Sequence, residues 1–136
     1  MRIPSRISVI GTGVHPLNLA SSIGIFDEWI RVRRQKYICV TPAHSIMDAY
    51  YDDDFRRILN TSDLTTPDGM SVVWILRLLG HKEVDRVYGP DLMLALCRYG
   101  LGKKYRHFRV RSVGKFKQVI KCCCIFIPQP AVPVGQ

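Results

Sequence analysis

Short strand-like runs in this chain alternate with stretches of helical periodicity, and that alternation narrows the fold more than any other feature. Ile7–Ile10 ends at Gly11, Tyr37–Thr41 at Pro42, and Leu64–Thr66 at Pro67. Each reads as a short strand, and the segments that follow read as helices: Ile23–Arg34, Ser45–Leu59 and Met70–Leu79. In the second of these, Ile46, Met47, Tyr50, Phe55, Ile58 and Leu59 recur at spacings of three and four, which makes one apolar helix face. Met70–Leu79 is strongly apolar, with Gly80 placed to stop it. Arg86–Tyr88 reads as another strand, and Pro90 and Gly100 bracket a last helix. Strands separated by helices are joined by crossovers, so the order predicts an α/β fold. Its sheet is expected to be mainly parallel, covered on both faces, with ligands at the carboxyl ends of the strands.

At 136 residues the chain suits one domain. Its net charge of +9 is unevenly placed. Residues 1–100 hold 12 Lys and Arg against 11 acidic residues, whereas residues 101–136 hold 8 Lys and Arg and no Asp or Glu. A nearly neutral body thus carries a basic end, and the overall charge does not make the whole protein a nucleic-acid binder. Five Cys, three of them consecutive at Cys122–Cys124, form no disulfide framework and favour a reducing, cytoplasmic setting. Residues 7–26 lack formal charge and follow Arg2 and Arg6, but Gly11, Gly13, Pro16, Asn18 and Gly24 interrupt them. They are too broken for an export leader or a membrane span.

Several motifs fall short of chemistry. Gly11-Thr12-Gly13 follows a strand, yet the third glycine of a dinucleotide loop would fall at Pro16, so a glycine-rich turn is the better reading. Asp52-Asp53-Asp54 lies just ahead of Phe55-Arg56-Arg57 and suits a helix start or a solvated face better than a metal site. The four His and the Cys triplet lack zinc-ligand spacing, so no metal is expected. Thr65-Thr66-Pro67-Asp68-Gly69 is more informative, because it sets a carboxylate where a strand end meets an apolar helix. A partly desolvated Asp68 there accepts a proton from an incoming hydroxyl, or else it caps the helix. The residues alone leave both readings open, the cap being the simpler.

Three ordered stretches bear on that choice: Cys39-Val40-Thr41-Pro42-Ala43-His44, Thr66-Pro67-Asp68-Gly69-Met70-Ser71-Val72-Val73-Trp74, and Arg86-Val87-Tyr88-Gly89-Pro90-Asp91-Leu92. Their order and spacing resemble the WecG/TagA/CpsF family of bacterial glycosyltransferases, and so does the link Asp53–Leu64 between the first two. The resemblance covers roughly residues 5–108.

That resemblance implies an inverting, metal-independent hexosyltransferase that needs no cofactor. It would move N-acetylmannosamine or a related sugar from a UDP-sugar donor to a polyprenyl-diphosphate-linked saccharide acceptor at the inner face of the cell membrane. Asp68 matches the family's proposed general base and Thr41 the threonine near the reacting sugar. Ala43 replaces an asparagine found in many members, and the neighbouring His44 offers a polar contact instead. Gly69 belongs to the same motif as Asp68, while Arg86, Gly89 and Asp91 match an Arg-x-x-Gly-x-Asp stretch and line or support the site. The implied fold is α/β, a Rossmann-like three-layer domain that is incomplete at its C-terminus. Residues 1–108 would form its N-terminal part.

From Arg109 onward the resemblance stops, and Pro128, Pro130 and Pro133 forbid a regular ending. Residues 109–136 are therefore expected to be a basic, Cys- and Pro-containing tail outside the fold, as a change of reading frame would leave. The transferase would then lack the segments that finish the donor pocket, which puts its activity in question. The alternative is a basic protein of the membrane surface or of nucleic acid, without catalysis. Its attraction is the basic end and the acylatable Cys122–Cys124, but no ordered DNA- or RNA-reading motif accompanies them, so nucleic acid is not the expected partner.

Overall fold

A computed structural model describes residues 2–103, residue 105 and, as backbone, residues 123–127. The elements run β1 (Ile7–Val9), β2 (Thr12–Val14), α1 (Leu19–Arg31), β3 (Lys36–Thr41), α2 (Ala43–Tyr51), α3 (Asp53–Thr61), β4 (Leu64–Pro67), α4 (Met70–Leu78), α5 (Gly89–Gly100) and β5 (Cys123–Ile127). The mixed α/β content matches the alternation in the sequence. The expected mainly parallel sheet does not appear among the described strands.

One parallel pair, β3 with β4, sits at the centre, in a register that puts Ile38 beside Leu64 and Thr41 beside Pro67. On one face, Ile38, Val40 and Leu64 pack with Phe26 and Trp29 of α1 and with Leu92 and Leu96 of α5. On the other, Cys39 packs with Ala49 of α2 and with Phe55 and Leu59 of α3. The run Tyr37–Thr41, read as a buried strand, is therefore covered on both faces, as its apolar character requires, and β4 beside it is buried along its length.

The departures from a parallel sheet have local causes. β1 and β2 form an antiparallel hairpin because Ile10 and Gly11 both take positive φ, 42° and 88°, and reverse the chain in two residues. The glycine-rich turn is thus a hairpin turn. β5 adds to the outer edge of β3 antiparallel, pairing Lys36 with Ile127 and Val40 with Cys123. It comes from the stretch set apart as a tail; the rest of residues 106–136 lies outside the described residues. Arg86–Tyr88 forms no strand. Its Val87 N–H reaches Pro67 O at 2.8 Å, but the nearby Asp85 N–H is engaged by Leu17 O, so no ladder develops.

Ser45–Leu59, expected as one helix, breaks at Asp52, whose φ of −128° and ψ of 104° are extended. The Asp52 carboxylate accepts from Phe55 N at 3.0 Å and starts α3, a side-chain bond that competes with continued helix. Helix α1 begins earlier than its apolar periodicity suggests. Asn18 and Ser21 form a capping box there, with Ser21 N donating to Asn18 Oδ1 at 2.9 Å.

Candidate active site

Three chain segments meet at the carboxyl ends of β3 and β4. Thr41 and Pro67 are register partners, and Asp68 N donates to Thr41 O at 3.1 Å just beyond them. The Val87 bond to Pro67 brings the segment from Arg86 to Gly89 alongside. Each segment runs directly into a helix: α2 after Thr41, α4 after Asp68 and α5 after Tyr88. None of these three helices has a side-chain N-cap, whereas α1 and α3 are capped by Asn18 and Asp52. Their positive ends and first-turn N–H groups favour negative charge at this edge of the sheet.

Asp68 sits within that edge. Its side chain is 15% exposed, yet its Oδ1 is buried and accepts no hydrogen bond. Arg86 Nε lies 3.6 Å from Oδ1, within ion-pair range and beyond a hydrogen bond. Burial pushes the Asp68 pKa above its ordinary value; the charges of Arg86 and His44 oppose that rise, and Asp91 adds to it. The result is a carboxylate of increased basicity whose buried Oδ1 no donor occupies, facing a cation. Such a group can take a proton from a hydroxyl brought against it.

The N-cap reading of Asp68 does not hold. The capping position of α4 is Gly69, and no side chain bonds the first turn. Gly69 itself is extended, with φ 166°, and an added Cβ would meet nothing closer than Ser71 Oγ at 3.9 Å. Neither backbone conformation nor packing within the chain demands a glycine there.

The other candidates are placed as follows. Thr41 is fully buried, and its hydroxyl donates to Cys39 O at 3.3 Å, so it meets Asp68 through its backbone carbonyl. His44 is exposed in the first turn of α2. Arg86 is half exposed, and its guanidinium lies over the Tyr88 ring at 4.4 Å from the centroid. Gly89 is the buried first residue of α5, and Asp91 is exposed in the same turn. Electrostatically, His44, Arg86 and Asp91 converge on Asp68.

Sequence reasoning did not single out Tyr88, although its spacing of two from Arg86 puts both on one side of an extended segment. Nor did it find the hydroxyls of Thr66 and Ser45, which are buried without a hydrogen-bond partner. Nothing in their local pattern signals that state. Among the described residues, no group of three His, Cys, Asp or Glu is arranged to hold a metal. In the acidic triplet, Asp52 caps α3, while Asp53 and Asp54 pair with Arg56 and Arg57 one turn on.

A comparison with protein families matches residues 7–121 to the Glycosyl transferase WecG/TagA/CpsF family. The matched span contains all three segments that meet at this edge and every candidate residue. No curated protein matches the chain.

Proposed function

The chain belongs to the WecG/TagA/CpsF family of glycosyltransferases, and from that premise we propose that it transfers a hexosyl group, of the N-acetylmannosamine kind, from a UDP-sugar to a polyprenyl-diphosphate-linked acceptor. Family membership makes it a transferase of cell-surface polysaccharide synthesis. No described helix is long and apolar enough to cross a membrane. The proposal places the protein at the inner membrane face, with β3 and β4 as the centre of a Rossmann-like three-layer domain.

The observation that carries the reading is the buried Asp68 oxygen without a donor, at the end of a parallel strand pair. In the proposed reaction, an acceptor hydroxyl gives its proton to Asp68. Its oxygen bonds to the anomeric carbon on the face opposite the diphosphate, and the carbon–oxygen bond to the diphosphate breaks. UDP leaves with that electron pair, and the anomeric configuration inverts. Arg86 and the uncapped N-termini of α2, α4 and α5 balance the charge that develops on the departing diphosphate. His44 and Asp91 set the local field, and Gly69 leaves room against the reacting groups.

Proton nuclear magnetic resonance of the product formed from UDP-N-acetylmannosamine and a lipid-linked acceptor tests this chemistry. An inverted anomeric centre is expected. A retained configuration would remove the single-displacement mechanism and with it the role given to Asp68.

A further inference from the structure

Helix α4 is apolar on more than the side it buries. Val72, Val73 and Leu76 pack against Val9 and Val14 of the hairpin and Ile46 of α2. Met70, Trp74, Ile75 and Leu78 nevertheless face outward, with Trp74 59% and Leu78 87% exposed. Met70, Trp74 and Leu78 follow one another at spacings of four, so they form one ridge along the helix. A helix this apolar outside the core has a second surface to cover.

The surroundings of the ridge indicate what covers it. Trp74 and Leu78 line a shallow groove of about 510 Å³ whose other walls are Arg77 and Lys82. Arg77 is partly exposed, its Nε donating to Val84 O at 3.0 Å and its guanidinium 3.6 Å from the exposed Asp85. Lys82 is exposed beside it. An apolar floor, an indole and two long cationic side chains match a layer of acyl chains beneath anionic headgroups. Tryptophan favours that boundary, and Lys and Arg bury their stems while keeping their charge in the polar zone. A second copy packed face to face would instead bring two sets of Arg77 and Lys82 together.

We propose that this face of α4 seats the protein on an anionic phospholipid surface, with Trp74 and Leu78 inserted and Arg77 and Lys82 among the headgroups. The ridge starts at Met70, two residues after Asp68, and runs about 12 Å to Leu78 at 1.5 Å per residue. The seat therefore holds the candidate base at the edge of the bilayer, where a membrane-borne acceptor presents its hydroxyl. That purpose rests on the transferase reading. The seat itself is measured without sugar or acceptor.

The chain has two tryptophans, and Trp29 is only 8% exposed in the core, so a quencher in a bilayer reports on Trp74. The full chain is mixed with phosphatidylglycerol/phosphatidylcholine vesicles carrying brominated acyl chains, and tryptophan emission is recorded. Binding with loss of Trp74 emission is expected, as is no binding to pure phosphatidylcholine. Leu78→Ser, at a position too exposed to disturb folding, should weaken binding by about tenfold or more. Trp74→Phe should abolish the quenching. Binding without quenching would place the contact elsewhere, on the basic segment for example, and overturn the proposal. Absence of binding, or a dimer that Leu78→Ser dissociates and vesicles do not compete with, would overturn it as well. Quenching without sugar transfer would defeat the transferase reading alone, and transfer without quenching would defeat the seat alone.

Discussion

Arg86 Nε stands 3.6 Å from Asp68 Oδ1, near enough to stabilise the carboxylate and too far to donate a hydrogen bond to it. The pair thus tunes Asp68 without occupying the oxygen that would receive a proton. Transfer requires ionised Asp68, so the rate should fall as pH drops through a pKa above the usual carboxylate range. Replacing Arg86 with Gln removes the opposing charge and raises that pKa further. The acid limb of the pH–rate profile should move to higher pH in Arg86→Gln, and an unmoved limb would show that Arg86 does not act on the base.

The same burial makes ionised Asp68 costly to the fold. A carboxyl whose folded pKa is raised favours the native state below its unfolded pKa, and that advantage is lost as pH rises through the folded value. At neutral pH, Asp68→Asn should therefore melt at a higher temperature than the parent. Near pH 3 the difference should vanish. Thermal melts at both pH values check the sign; a lower melting temperature at pH 7 would mean that the carboxylate stabilises the fold.

His15 supplies the opposite pH dependence. It is 4% exposed, and its Nδ1 accepts from Thr65 N at 2.9 Å, a bond that the doubly protonated ring cannot accept. Burial, aided by the nearby Arg6 cation, pushes its pKa down to about 4. Folding then favours the neutral ring, and stability should decline as pH falls from about 6.5 toward 4, by an amount on the order of 3 kcal/mol. Urea unfolding at pH 7 and pH 4.5 measures this loss. His15→Asn, which keeps an acceptor and cannot titrate, should flatten it.

Ile10 holds φ at 42° in the hairpin turn, a conformation that its branched side chain disfavours. Asparagine is the common residue before glycine in such a turn. Ile10→Asn should stabilise the protein by about 1 kcal/mol in denaturant unfolding. Ile10 is 49% exposed, so the substitution removes little core packing. Unchanged or lower stability would indicate that the Ile10 side chain contributes contacts worth more than the strain.

The central strands were legible because Tyr37–Thr41 is a compact apolar run, which suits burial on both faces, and because it and the short extended piece Leu64–Thr66 are each ended by proline. Once they are parallel, Thr41 and Asp68 meet as a matter of geometry. The hairpin was hidden, since Ile10-Gly11 is an unusual pair for its turn and Thr12–Val14 is too short to show alternation. The break at Asp52 was hidden for another reason: apolar spacing continues across it, and only the competing side-chain bond to Phe55 N ends the helix. Arg86 was named from its motif, but its closeness to Asp68 depends on the long-range Val87 bond to Pro67, which no local pattern encodes.

The account depends most on Asp68 as the proton acceptor, and one ratio measures that role. Acceptor-dependent UDP release is followed for the parent chain and for Asp68→Asn, after circular dichroism establishes that both are folded. Asn preserves the shape of the side chain and removes its basicity, so release should fall by about 10²–10⁴-fold. Equal rates in the two proteins would contradict the assignment.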